Sequence, residues 1–236
     1  MKNTLLIWSQ LLLYAIAMAA LEAAVVVYLR ALFYGETVSL FPLQPLSTQL
    51  LAVELTRELA TLIMLGVVGW ILGKNTWSRI GYFLAAFGVW DIFYYVFLYL
   101  FIEWPESLID WDVLFLIPVP WFGPVLAPCL VSVVFIMLGA LIGVHEEKGV
   151  LVAAKREEIF TFLLGCVIIL YTFMEDAIHL LVSGTLRPND KEMMRKMANF
   201  IPEQYDWGIF AVGLGFLMAA WMLYYRRLRT SHLVLY

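Results

Sequence analysis

Six long apolar stretches, separated by short polar segments, dominate the pattern along this chain. Each is long enough to cross a bilayer, which takes about 20 apolar residues. Strand-like alternation of apolar and polar positions is absent, and barrel strands would be only about ten residues long. The pattern predicts an all-α, polytopic transmembrane helix bundle of about six spans that forms a single domain, residues 1–236. The predicted spans are Leu5–Phe33, Leu50–Leu72, Ile80–Ile102, Phe122–Val144, Ile159–Val182 and Trp207–Tyr225.

The segment that leads into the fourth stretch interrupts this pattern with four prolines, Pro118, Pro120, Pro124 and Pro128. Each proline lacks an N–H group and clashes with the preceding turn, so the four cannot share one regular helix. Irregular backbone at membrane depth persists only where protein or water satisfies its polar groups. We therefore predict a Pro-rich, broken and partly re-entrant start of span 4, with unpaired carbonyl groups that face polar side chains.

Composition narrows the class of protein further. Hydrophobic residues make up 63% of the chain and charged residues only 14%, with a mean hydropathy of +0.86. A soluble domain needs more charged surface than this, so a soluble protein is excluded and the predicted partner is the lipid bilayer. The net charge of -4 provides no basic field for nucleic acid. A partner in a membrane complex and a homo-oligomer both stay open.

The basic residues of the loops predict an orientation. With six spans, the side that holds both termini carries nine Lys and Arg residues, and the opposite side carries five. Cytoplasmic loops are enriched in Lys and Arg. We therefore predict that the N- and C-termini are cytoplasmic.

Eight ionisable side chains lie inside the predicted spans. Each costs about 2.5–3.5 kcal/mol at the centre of a helix that faces lipid, so we expect them to face the bundle interior. Depths calculated from a rise of about 1.5 Å per residue place all eight in the outer half of the membrane. They are Glu22, Glu54, Arg57, Glu58, Asp91, Glu175, Asp176 and His179.

Part of this group has the residue types and spacing of a metal site. Asp176 and His179 have the i,i+3 spacing of carboxylate-bridged metal bundles, although those proteins use two such pairs. The predicted metal ligands are Glu58, Asp91, Asp176 and His179, which suit a divalent Fe, Mn or Zn ion. Haem is not expected, because His179 is the only deep histidine. The residues predicted to support the site or relay protons are Glu22, Glu54, Arg57, Tyr94, Tyr95 and Glu175.

Three functions are compatible with these residues. Six carboxylates against one arginine and one histidine require protons, a bound cation or water to balance them. The protein is therefore a metal-binding membrane protein with or without enzymatic activity, a proton- or cation-coupled carrier, or a non-catalytic subunit of a larger complex. Nucleotide-binding, zinc-protease and serine-hydrolase motifs are absent from the sequence.

Four segments in the first half of the chain resemble a family of uncharacterised bacterial integral membrane proteins. They begin at Glu22 (EAAVVVYLR), Glu54 (ELTRELAT), Gly88 (GVWDIFYY) and Trp111 (WDVLFLIPVPWFGP). The resemblance implies a multi-pass protein of the bacterial inner membrane. It implies no activity, cofactor or protein partner.

The topology can be tested by labelling single cysteines from each face of the membrane. In a background without Cys129 and Cys166, a cysteine at position 2 should react only from the cytoplasmic side. A cysteine at position 110, in the acidic loop after span 3, should react only from the opposite side. Labelling of both positions from one side would contradict the six-span topology.

Overall fold

The fold is a bundle of membrane-length helices with one short β-hairpin. The computed structural model describes residues 2–33, 47–149, 153–182, 202 and 204–233. Within these ranges the elements, in chain order, are α1 (Lys2–Phe33), α2 (Thr48–Leu72), α3 (Thr76–Ile102), β1 (Trp111–Phe115), β2 (Trp121–Pro124), α4 (Leu126–Glu147), α5 (Arg156–Val182) and α6 (Trp207–Leu233).

All six helices of the described residues are long and apolar enough to span a membrane, which confirms the predicted class and the six predicted spans. The helices extend beyond several predicted bounds because polar residues form their ends. At α3, for example, the Asn75 side chain accepts hydrogen bonds from the N–H groups of Trp77 and Ser78, which lets the helix begin at Thr76. The Glu146 carboxylate at the end of α4 also accepts from the Asn75 side chain, at 2.9 Å. These contacts fix the end of the bundle where α2 meets α3.

The Pro-rich segment forms an antiparallel hairpin between α3 and α4. Strand β1 pairs with β2, and Pro118 and Pro120 lie in the connection between them. Helix α4 begins only at Leu126, so Pro128 lies in its first turn, where a missing N–H is tolerated. The predicted break is confirmed. The strand pair was not predicted, and the predicted start of span 4 at Phe122 was wrong because Trp121–Pro124 is a strand.

Helix α3 packs against α1, α2 and α4, whereas α5 packs mainly against α6. Glycines allow the closest approach, between α3 and α4. A Cβ atom added at Gly88 would lie 2.5 Å from the backbone oxygen of Ser132, and one added at Gly139 would collide with the backbone oxygen of Gly81. Trp121 of the hairpin packs against both the α1–α3 core and the α4–α6 core. The hairpin therefore connects the two halves of the bundle.

Gly139→Ala should lower the stability of the protein, because the added methyl group meets backbone rather than a movable side chain. We expect a loss of about 1–3 kcal/mol, typical of overpacking, measured by thermal unfolding in detergent. The control is Gly66→Ala in α2, where an added Cβ meets nothing within 4 Å. That change should be neutral or stabilising because alanine favours helix. Equal unfolding temperatures for the two variants would contradict the close α3–α4 contact.

Candidate functional site: an acidic cavity

A cavity of about 200 Å³ lies between α1, α2, α3 and the hairpin, at the end of the bundle where α1 ends and α2 begins. Its volume corresponds to about seven water molecules, at about 30 Å³ each. Five carboxylates and two guanidinium groups of the described residues line it, and we call it the acidic cavity. The charged residues are Glu22, Arg30, Glu54, Arg57, Glu58, Asp91 and Asp112.

Arg57 forms a charged bridge between α1 and α2. Its guanidinium group pairs with the carboxylate of Glu22 on α1 and with that of Glu54, 2.8 Å away on its own helix. The second oxygen of Glu22 accepts a hydrogen bond of 3.1 Å from the Thr61 hydroxyl. Glu22 and Glu54 are buried. Two acids therefore share one base, and this group retains one formal negative charge.

Arg30 and Asp112 form a second buried pair, between the last turn of α1 and strand β1. Their nearest side-chain atoms, Arg30 Nη2 and Asp112 Oδ1, are 3.8 Å apart, and the Tyr95 hydroxyl donates to Asp112 Oδ2 at 3.1 Å. The guanidinium group lies 3.8 Å from the ring centre of Trp104, in a cation–π contact. Burial raises the pKa of Asp112 above its ordinary value, although Arg30 and the Tyr95 hydroxyl oppose that shift.

Glu58 and Asp91 line the cavity without forming an ion pair to an arginine in the described part of the chain. Both oxygens of Glu58 accept from the backbone N–H of Leu116, at 3.0 Å each, which ties α2 to the residue after β1. Asp91 Oδ2 accepts a 2.8 Å hydrogen bond from the Ser132 hydroxyl on α4. From the described residues each carboxylate therefore receives one neutral donor, which compensates for only part of the water it has lost.

Among the described residues, the charges around the cavity do not balance. Five acids against two arginines leave three formal negative charges, one on the Arg57 group and one each on Glu58 and Asp91. Uncompensated carboxylates in a low-dielectric site retain protons or attract a cation. The arrangement is therefore suited to binding positive charge.

The predicted metal ligands are only partly brought together. Glu58 and Asp91 line the acidic cavity, whereas the described residues around it include neither Asp176 nor His179. The His179 side chain is 72% exposed, in the last turn of α5, with its Nε2 atom 3.7 Å from Glu175. Among the described residues, no group of three or more His, Cys, Asp or Glu side chains is placed to hold a metal ion. The expectation that every ionisable residue in a span faces the interior was wrong for His179.

The residues expected to support the site are divided in the same way. Those on the first three helices line the acidic cavity, whereas Glu175 accepts a 3.3 Å hydrogen bond from Tyr171 on α5. The cavity-lining members of that set are Glu22, Glu54, Arg57, Tyr94 and Tyr95.

Four contacts at the cavity were not predicted from the sequence. Glu22 pairs with Arg57, and Arg30 faces Asp112 of the hairpin. Trp104 is buried against Arg30. The polar group that the Pro-rich segment presents to the cluster is the N–H of Leu116, not a carbonyl. The short Trp111–Phe115 run, which contains the β-favouring residues Trp, Val and Phe and is followed by prolines and then by Trp121–Pro124, was the available signal for this hairpin.

The chain matches no protein-family model, no curated protein and no solved structure. Its function therefore has to be inferred from the chemistry of the cavity.

Arg57→Met should destabilise the protein strongly, because Glu22 and Glu54 would lose their shared base inside the bundle. Removing one partner of a buried ion pair costs about 3–5 kcal/mol. Thermal or denaturant unfolding in detergent would measure the loss. The further changes Glu22→Gln and Glu54→Gln should recover part of it by removing the stranded charges. Arg156→Met, at an exposed position, is the control. If Arg57→Met lowers the stability no more than this control does, the charged bridge is contradicted.

Proposed function

We propose that this protein is a membrane carrier that binds a small positively charged solute in the acidic cavity and exchanges it for protons. One observation supports this above all: Glu58 and Asp91 line a cavity inside the bundle, and neither forms an ion pair with an arginine among the described residues. A cation that enters neutralises them, and protons neutralise them when it leaves. If the termini are cytoplasmic, as the loops predict, the cavity lies in the outer half of the bacterial inner membrane.

The volume and lining of the cavity favour an organic cation or protons over a resident metal ion. Space for about seven waters exceeds what a single ion fills. Divalent metals prefer several protein ligands at fixed geometry, and the described residues offer no group of three or more such ligands. A divalent Fe, Mn or Zn site with enzymatic activity stays a second proposal, since Glu58 and Asp91 are both carboxylates.

A non-catalytic role in a membrane complex is supported by a different observation. The polar contacts at the cavity also connect structural elements: Arg57 connects α1 to α2, Glu58 connects α2 to the hairpin, and Asp91 connects α3 to α4. Such contacts fix helix packing without binding any solute. In that case the cavity holds only water and the carboxylates hold protons.

Calorimetric titration of the purified protein in detergent distinguishes these roles. The probes are methylammonium and tetramethylammonium chloride and, separately, Zn²⁺ and Mn²⁺. We expect the organic cations to bind with release of protons, detected as a dependence of the heat on the ionisation enthalpy of the buffer. Glu58→Gln and Asp91→Asn should each weaken binding at least about tenfold, a cost of about 1.4 kcal/mol.

Glu157→Gln is the matched control, because Glu157 is an exposed acid in the first turn of α5. Its affinity should equal that of the unmodified protein. Binding of metal ions alone would support the metal site and contradict the carrier, and absence of any binding would support the structural role. In vesicles that enclose a pH-sensitive dye, an inward gradient of the bound cation should drive proton efflux. Binding without proton movement would contradict a carrier.

A further inference from the structure

A second cavity, of about 180 Å³, lies on the other side of Asp91, between α3, α4, α5, α6 and the hairpin. Its walls are apolar and rich in aromatic rings, and we call it the aromatic cavity. The rings belong to Phe87, Phe115, Trp121, Phe135 and Phe173. No lysine or arginine occurs among the described residues that line it.

The two cavities share part of their walls. Asp91, Leu114 and Phe115 line both of them. The Asp91 carboxylate, held by Ser132 at 2.8 Å, is therefore the acidic group common to the two spaces. Because Asp91 lines both spaces, a cation bound there lies at the boundary of the aromatic cavity, next to an apolar space that an attached substituent can fill.

We propose that the solute is an amphiphile: a cationic, ammonium-type head at Asp91 with a short apolar chain in the aromatic cavity. This proposal rests on the proposed cation-binding function and adds the class of solute. Transfer of the apolar chain of the solute from water to an apolar space contributes favourable binding free energy. The head gains from the unpaired carboxylate and from nearby aromatic faces, which attract quaternary and primary ammonium groups. Among the described residues, an anionic head has no basic partner in the aromatic cavity and meets an excess of acids in the acidic one.

The chain-length dependence of binding tests this inference. The probes are n-alkyltrimethylammonium salts, from tetramethylammonium to the octyl compound, titrated into the detergent-solubilised full-length protein. Burial of each added methylene should tighten binding roughly two- to fourfold until the chain fills the cavity. Asp91→Asn should weaken every member of the series.

Two phenylalanine substitutions separate occupation of the cavity from partition into detergent. Cys166 lines the aromatic cavity, so Cys166→Phe fills part of it. This variant should abolish the increase in affinity with chain length. Its neighbour Val167 is 62% exposed, so Val167→Phe adds the same ring outside the cavity and should leave the gain intact. An equal gain in both variants would mean partition only and would overturn the proposal.

A measurement on the wild-type cavity covers the case in which Cys166→Phe does not fold. In a Cys129→Ala protein, Cys166 is the single thiol, and the octyl compound should slow its alkylation by N-ethylmaleimide at least about fivefold. Tetramethylammonium should not slow it. Binding that is independent of chain length, without protection of Cys166, would overturn this inference and leave the proposed function intact. Absence of binding for the whole series would overturn both.

Discussion

A carboxylate inside a membrane-spanning bundle must find a positive charge, a hydrogen-bond donor or a proton, because lipid supplies none of them. Arg57 meets this requirement for two acids at once, Glu22 on α1 and Glu54 on α2. The bridge brings the end of α1 next to the beginning of α2 and forms one wall of the acidic cavity. Because one base is shared by two acids, it also sets the negative charge that the rest of the site must accommodate.

The hairpin provides a hydrogen-bond donor for a buried carboxylate from the other side of the cavity. A continuous helix would use its interior backbone N–H groups in its own hydrogen bonds and have none for Glu58. The break after β1 frees the N–H of Leu116, which donates to both oxygens of that carboxylate. The same hairpin places Asp112 beside Arg30 and Tyr95. Irregular backbone at this position is therefore part of how the bundle tolerates buried acids.

Hydropathy and proline chemistry predicted the six helices and the break before α4, because both follow from local properties of the chain. These local properties did not predict which charged residues pair with each other, because pairing depends on how each helix is rotated about its own axis. The i,i+3 spacing of Asp176 and His179 places them on neighbouring positions of α5 but does not say which way that face points. In the structure His179 is mostly exposed. Arg30 and Asp112 were missed because their contact requires the hairpin, whose strands are only five and four residues long.

Helix packing controls the chemistry at Asp91. Gly88, almost one turn earlier on α3, has no side chain to hold α4 away, so the backbone of Ser132 comes close and its hydroxyl reaches the Asp91 carboxylate. A wider gap would remove the Ser132 donor that holds this acid at the boundary of the two cavities. The position of the acid therefore depends on a glycine that is not among the described residues lining either cavity. Close packing of α3 on α4 and the position of the Asp91 carboxylate between the two cavities are thus two consequences of one helix contact.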